Sequence, residues 1–149
     1  MESNSKIRST LNDLIETCKD GQEGFRTAAE NVDDAGIKQL FNEYALQRSK
    51  FAGELQAAAQ TLGEHDPEDT SSVAGALHRG WINLKAAVAG NDRHAILAEC
   101  ERGEDSAVAE YKKALELVVP GNIQEIVQRQ YVDVQAAHDR VKALRDAGK

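Results

Sequence analysis

Apolar residues recur at three- and four-residue spacing along almost the whole chain, and no segment alternates apolar with polar as a half-buried strand would. That periodicity restricts the fold to helices packed on helices. The first stripe is Ile7, Leu11, Leu14, Cys18, Phe25, Ala28 and Val32, running into Asp33 and Asp34, either of which can cap the next helix. The second is Ile37, Leu40, Tyr44, Phe51, Leu55, Ala58 and Leu62, ending at Gly63. The stretch EHDPEDTSS, residues 64–72, combines a proline with polar capping residues and reads as a loop. Val73, Leu77, Trp81, Leu84 and Val88 then mark a shorter helix that stops at Gly90-Asn91-Asp92. Leu97, Cys100, Ala107, Tyr111, Leu115 and Val118 carry the next stripe to Pro120-Gly121. Asn122 with Glu125 has the form of a capping box opening the last helix, whose stripe is Ile123, Val127, Tyr131, Val134, Val141 and Leu144.

The spacing thus predicts long helices over about 5–32, 34–62, 92–118 and 122–147, each about 38 Å long at 1.5 Å per residue, and a shorter one over about 73–89. Short connections fold the first two and the last two long helices into antiparallel hairpins. The long connection between the hairpins can run the length of a bundle and return the chain to the end it left, so that the second and third long helices run parallel. The expected fold is all-α: a ferritin-like four-helix bundle of two antiparallel hairpins, with a short helix in the crossover, forming one domain over residues 1–149. The competing arrangement is an up-down-up-down bundle with the 73–89 helix packed as a fifth member.

A hydrophobic content of 41% with 29% charged residues is ordinary for a folded globular chain. The net charge of -7 and the lack of any Lys/Arg cluster argue against phosphate backbones and anionic lipid as partners, so neither nucleic acid nor membrane is expected. The start, MESNSKIRSTLNDL, has no apolar region of a signal peptide, and no apolar run is long enough to cross a bilayer; a soluble, cytoplasmic protein is expected. Cys18 and Cys100 fall on apolar stripes and read as buried thiols rather than a disulfide.

A polar residue at a core position costs free energy unless it is paired, so the interruptions in the stripes are informative. Gln22 falls between Cys18 and Phe25, Arg48 between Tyr44 and Phe51, Glu104 between Cys100 and Ala107, and His138 between Val134 and Val141. In the ferritin-like topology these four share one height and form a polar core layer. Within ECERGED, residues 99–105, Glu101 and Glu104 are expected inside and Glu99 and Asp105 in solvent.

Ferritin-like metal proteins place a carboxylate-bridged metal pair at this height, using a Glu from two helices and Glu-x-x-His from the other two. This chain has no Glu-x-x-His in its second long helix, offers Gln135-x-x-His138 in the fourth, and presents Arg48 inward. The expected arrangement is therefore an Arg48–Glu104 pair in place of metal, assisted by Glu101 and His138, with no cofactor. The alternative is an iron or other divalent-metal site built from Glu23, Glu101, Glu104 and His138, with oxidase or iron-handling chemistry. No Gly-rich phosphate loop, paired CxxC or nucleophile arrangement is present.

In GALHRGW, residues 75–81, Leu77 and Trp81 share an apolar face and read as the anchor of the crossover, while His78 and Arg79 lie off it as capping or pairing groups. Together with LNDLIETCKDGQEGFRTAAENV, FAGEL, ILAECERGEDSAVAEYKKAL and HDRVKALRD, this heptapeptide resembles the bacterial ferritin-like domain of unknown function 2383. The resemblance implies a ferritin-like fold and a small cytoplasmic bacterial protein, and it implies no activity. The expected function is that of an uncharacterised, noncatalytic bundle acting in structure, stress physiology or partner binding, including association with further copies of itself.

Overall fold

The computed structural model describes residues 4–62, 81, 83–90, 92–117 and 120–147, and within them the chain is all-α, with five helices and no strand. These are α1 (Asn4–Asn31), α2 (Ala35–Gln60), α3 (Leu84–Ala89), α4 (Arg93–Leu115) and α5 (Gly121–Ala147). Among them no helix is long and apolar enough to cross a membrane.

Local chemistry sets the helix starts. Asp34 holds extended backbone and its carboxylate accepts the Ile37 N–H at 2.9 Å, capping α2. Asp92 does the same for α4, accepting from His94 at 2.9 Å and Ala95 at 3.5 Å. α5 begins at Gly121, so Asn122 lies inside its first turn rather than capping it. The Pro120 carbonyl is the first acceptor there, taking the N–H groups of Ile123 and Gln124 at 3.0 Å each.

The four long helices pack in neighbouring pairs: α1 on α2 and α4, and α5 on α4 and α2. Residues 32–34 reverse the chain between α1 and α2. Ile7 and Leu11, early in α1, lie beside Ala114 and Leu115, late in α4, whereas Gly24 faces the same indole as Gly103. α1 is therefore antiparallel to both α2 and α4, which leaves α2 and α4 parallel. Consistently, Ile37 and Leu40 of α2 share a groove with Leu144 of α5, while Phe51 and Glu54 meet Gln130.

The apolar core is divided in two. One cluster joins Leu14, Cys18, Phe51, Leu55, Tyr111, Val127 and Val134; the other joins Phe25, Phe41, Trp81, Ile96, Leu97, Cys100 and Val141. In each long helix the boundary falls at mid-length, where the residues described below lie.

The crossover departs from expectation in its described part. Helix is present only from Leu84, and Trp81 and Asn83 precede it in non-helical backbone, with the Leu84 N–H bonding back to the Trp81 carbonyl at 3.2 Å. Trp81 is buried not as one face of a helix but as a wedge between α1 and α4. A Cβ on Gly24 would lie 2.5 Å from indole Cδ2, and one on Gly103 would fall within the ring's contact distance. Both positions require glycine because the ring rests on bare backbone. The indole meets Phe25 edge-on, with centroids 5.3 Å apart. The expectations for Leu77, His78 and Arg79 fall outside the described residues.

Candidate functional site

Arg48 projects from the middle of α2 and Glu104 from the middle of α4, and their side chains are 2% and 0% exposed. Arg48 Nη1 donates to Glu104 Oε2 at 3.0 Å, while Nη2 lies 2.8 Å from Oε1 as an ion contact off the hydrogen-bond direction. Nε donates to Gln47 Oε1 at 3.1 Å, and the guanidinium carbon lies 5.5 Å from the Phe25 ring centre. Burial alone would lower the Arg48 pKa, but Glu104 outweighs it and holds the guanidinium above its ordinary value. Burial pushes the Glu104 carboxyl up, against the pull of Arg48. Because arginine does not lose its proton in proteins, the charged carboxylate is the partner it requires, and the pair is ionised at neutral pH.

Two small residues, not two polar ones, complete this layer. Gly21 is the inward residue of α1 and Ala137 that of α5, and both are buried. A Cβ on Gly21 would lie 3.2 Å from Arg48 Cγ and Nη1, so the missing side chain is the space the arginine fills. Gln22, expected in the layer, is half-buried and makes no hydrogen bond to Arg48 or Glu104. The residue after Cys18 that faces inward is the third, not the fourth, and the same shift applies after Val134 in α5.

His138 is accordingly displaced to the rim. Its side chain is 15% exposed, with Nε2 2.5 Å from Asp105 Oδ1 and Nδ1 3.1 Å from Asp139 Oδ1. Burial would lower the His138 pKa, but hydrogen bonds to Asp139 and Asp105 outweigh it and raise it. Asp105 is exposed as expected, yet it is engaged by this histidine. Glu101 is buried beside them and pairs with Arg145 of α5.

Two acids lie opposite to where the stripes put them. Glu23 is half exposed and pairs with Arg26 at 2.5 Å on the outer face of α1, away from the other three candidate metal ligands. Glu99, expected in solvent, is buried; its Oε2 accepts the Asn83 N–H at 2.8 Å and its Oε1 pairs with Arg102 at 3.1 Å. It ties the chain entering α3 down onto α4, a role that its spacing from Leu97 and Cys100 does not announce.

A second polar network was not visible as such in the sequence. Tyr111 donates its hydroxyl to Gln130 Oε1 at 2.7 Å, and the Cys18 sulfur lies 3.1 Å from the same hydroxyl. Gln130 Nε2 reaches the Phe51 carbonyl at 3.3 Å and Glu54 Oε1 at 2.8 Å, and Arg129 holds Glu54 from outside at 3.1 Å. The signal was the three-residue step from Val127, which places Gln130 rather than Tyr131 on the inward line. Burial raises the Cys18 thiol to about 11 and lifts Cys100 and Tyr111 well above their usual ranges.

For a metal pair at the centre of the molecule the donor set does not fit. Among the described residues the positions around the Arg48–Glu104 pair supply Gly21 and Ala137, with Asp20 of α1 buried beside the same small void as Gly21 and Arg48, and a divalent cation beside a fixed guanidinium is repelled.

The helices and the buried pair define an all-α protein with a charged layer across its core. The chain belongs to the family described as a domain of unknown function, DUF2383, which matches residues 6–117. No curated protein matches it.

Proposed function

We propose that this chain, as one domain over residues 1–149, is a ferritin-like four-helix bundle that works without catalysis, as a structural or partner-binding element. The observation that carries this reading is the Arg48–Glu104 pair, buried where such bundles otherwise assemble metal ligands. The antiparallel pairing of α1 with α2 and of α4 with α5, with α2 parallel to α4, supports the bundle topology. The arrangement gives the interior a register device: Arg48 sits opposite Gly21 and Glu104, so a slip of α2 against α4 would leave a buried charge unpaired and a slip of α1 would bring a side chain against the arginine. The alternative with Glu23, Glu101, Glu104 and His138 as ligands is disfavoured, because Glu23 would have to leave Arg26 and turn through the helix. Two free, buried cysteines accord with a reducing, cytoplasmic setting.

The test is oxygen uptake by chelator-treated protein loaded anaerobically with ferrous iron. No uptake above the protein-free control is expected. Stoichiometric, repeatable uptake would replace this reading with an iron-oxidising one. Light scattering on a sizing column then measures whether the chain associates with copies of itself.

A further inference from the structure

Beside the central pair lies a group of side chains that this noncatalytic reading does not use. Glu101 and Asp105 stand one turn apart on α4, both toward His138 on α5, and one ligand atom from each lies within 4.8 Å of the other two. Two donors on one zinc-class ion sit at most about 4.2 Å apart, twice the ~2.1 Å ligand distance, so small side-chain rotations close the set.

Two observations separate this group from a chance acidic patch. The Glu101 side chain is nine-tenths buried, yet among the described residues its Oε1 is met by Arg145 through an ion contact and not by a hydrogen bond. Arg145 is itself shared with Asp146 and partly exposed, so it can leave without orphaning its charge. His138, meanwhile, is turned by its bond to Asp139 so that Nε2 faces the two carboxylates, the carboxylate–histidine arrangement that orients metal-bound imidazoles. Glu101, Asp105, Asp139 and Asp146 face this corner against Arg145, the histidine and, beside Asp139, Lys142, an excess of negative charge that a dication would offset.

We propose that Glu101, Asp105 and His138 form a single-ion site for a borderline divalent metal of the zinc or cobalt class, with Arg145 occupying the place of the cation in its absence. One imidazole and two carboxylates match the preferences of such ions, and a three-residue set leaves one or more positions for solvent. The site is separate from the Arg48–Glu104 layer and holds one ion, not a bridged pair.

The test is titration of the chelator-treated full chain with Co²⁺ and with Zn²⁺, followed by calorimetry and by cobalt visible absorption. One ion per chain with a saturating cobalt spectrum is expected. His138→Gln should weaken binding at least tenfold, Arg145→Met should tighten it severalfold by removing the competing charge, and Glu23→Gln should leave it unchanged. Circular dichroism confirms that each variant is folded; His138, at the rim, is the position least costly to alter. No saturable binding at millimolar cobalt, or binding that His138→Gln leaves intact, overturns the proposal.

Discussion

Replacing Arg48 by Met removes the cation of the central pair while keeping an unbranched side chain in the space that Gly21 leaves open. Glu104, with no exposed surface, then has no counter-ion within the core. Breaking a buried pair on one side costs about 3–5 kcal/mol, because the remaining charge must be desolvated or protonated. For a chain of 149 residues each kcal/mol lowers Tm by about 2–4 °C, so a fall of roughly 6–20 °C is expected. Urea melts followed by circular dichroism at pH 7 should show a lower midpoint at unchanged slope. The double variant Arg48→Met/Glu104→Leu removes both charges together and should recover most of the loss, since apolar replacements of buried pairs are often neutral or stabilising. The cycle should therefore yield a coupling of several kcal/mol. An Arg48→Met midpoint within about 1 kcal/mol of the parent, or a double variant that loses the sum of the two single losses, would refute the argument.

Other consequences follow from the same geometry. Gly103→Ala and Gly24→Ala each drive a Cβ into the Trp81 indole, and each should cost about 1–3 kcal/mol and shift Trp fluorescence to the red as the ring is expelled; unchanged emission in both would remove the wedge. Tyr111→Phe deprives the buried Gln130 of its donor and should cost about 1–3 kcal/mol in a urea melt, the penalty for leaving a buried acceptor unmet. Cys18, raised to about 11 by burial, and Cys100 should both resist Ellman's reagent at pH 8 in the native state and react fully in denaturant. Burial would raise the Glu54 pKa, but hydrogen bonds from Gln130 and Arg129 outweigh it and hold it below the ordinary 4.5. Its contribution is thus complete above pH 4.5 and lost as pH falls through the native value, and Glu54→Gln should flatten that acid limb of the stability curve.

The long helices were legible because their apolar stripes run for many turns and because Asp34 and Asp92 cap through side chains that sequence displays openly. Arg48 and Glu104 could be picked out for a similar reason: each is a lone charge in an otherwise apolar line. The other half of the layer was obscured by a property of the repeat itself. Between two core residues seven apart, both the third and the fourth intervening steps approach the core, and a hydropathy pattern marks the polar choice, Gln22 or His138, over the small one. The inward residues are Gly21 and Ala137, whose contribution is room for a guanidinium, and room leaves no mark in a hydropathy pattern. Gln130 was missed against Tyr131 in the same way, and Glu99 because its partner is a backbone N–H reached across the chain reversal before α3. Gly24 and Gly103, likewise, acquire meaning only once Trp81 is seen lying on them.

The proposed function rests on an ion pair, not a metal pair, spanning the core. Elemental analysis of protein purified without affinity metal, then loaded anaerobically with ferrous iron and desalted, measures this most directly. At most one iron per chain is predicted, since the one cluster of ligands found among the described residues lies at the rim and excludes Arg48 and Glu104. Two tightly held irons per chain would contradict it, because among the described residues a second ion could be accommodated only by displacing Arg48 from Glu104.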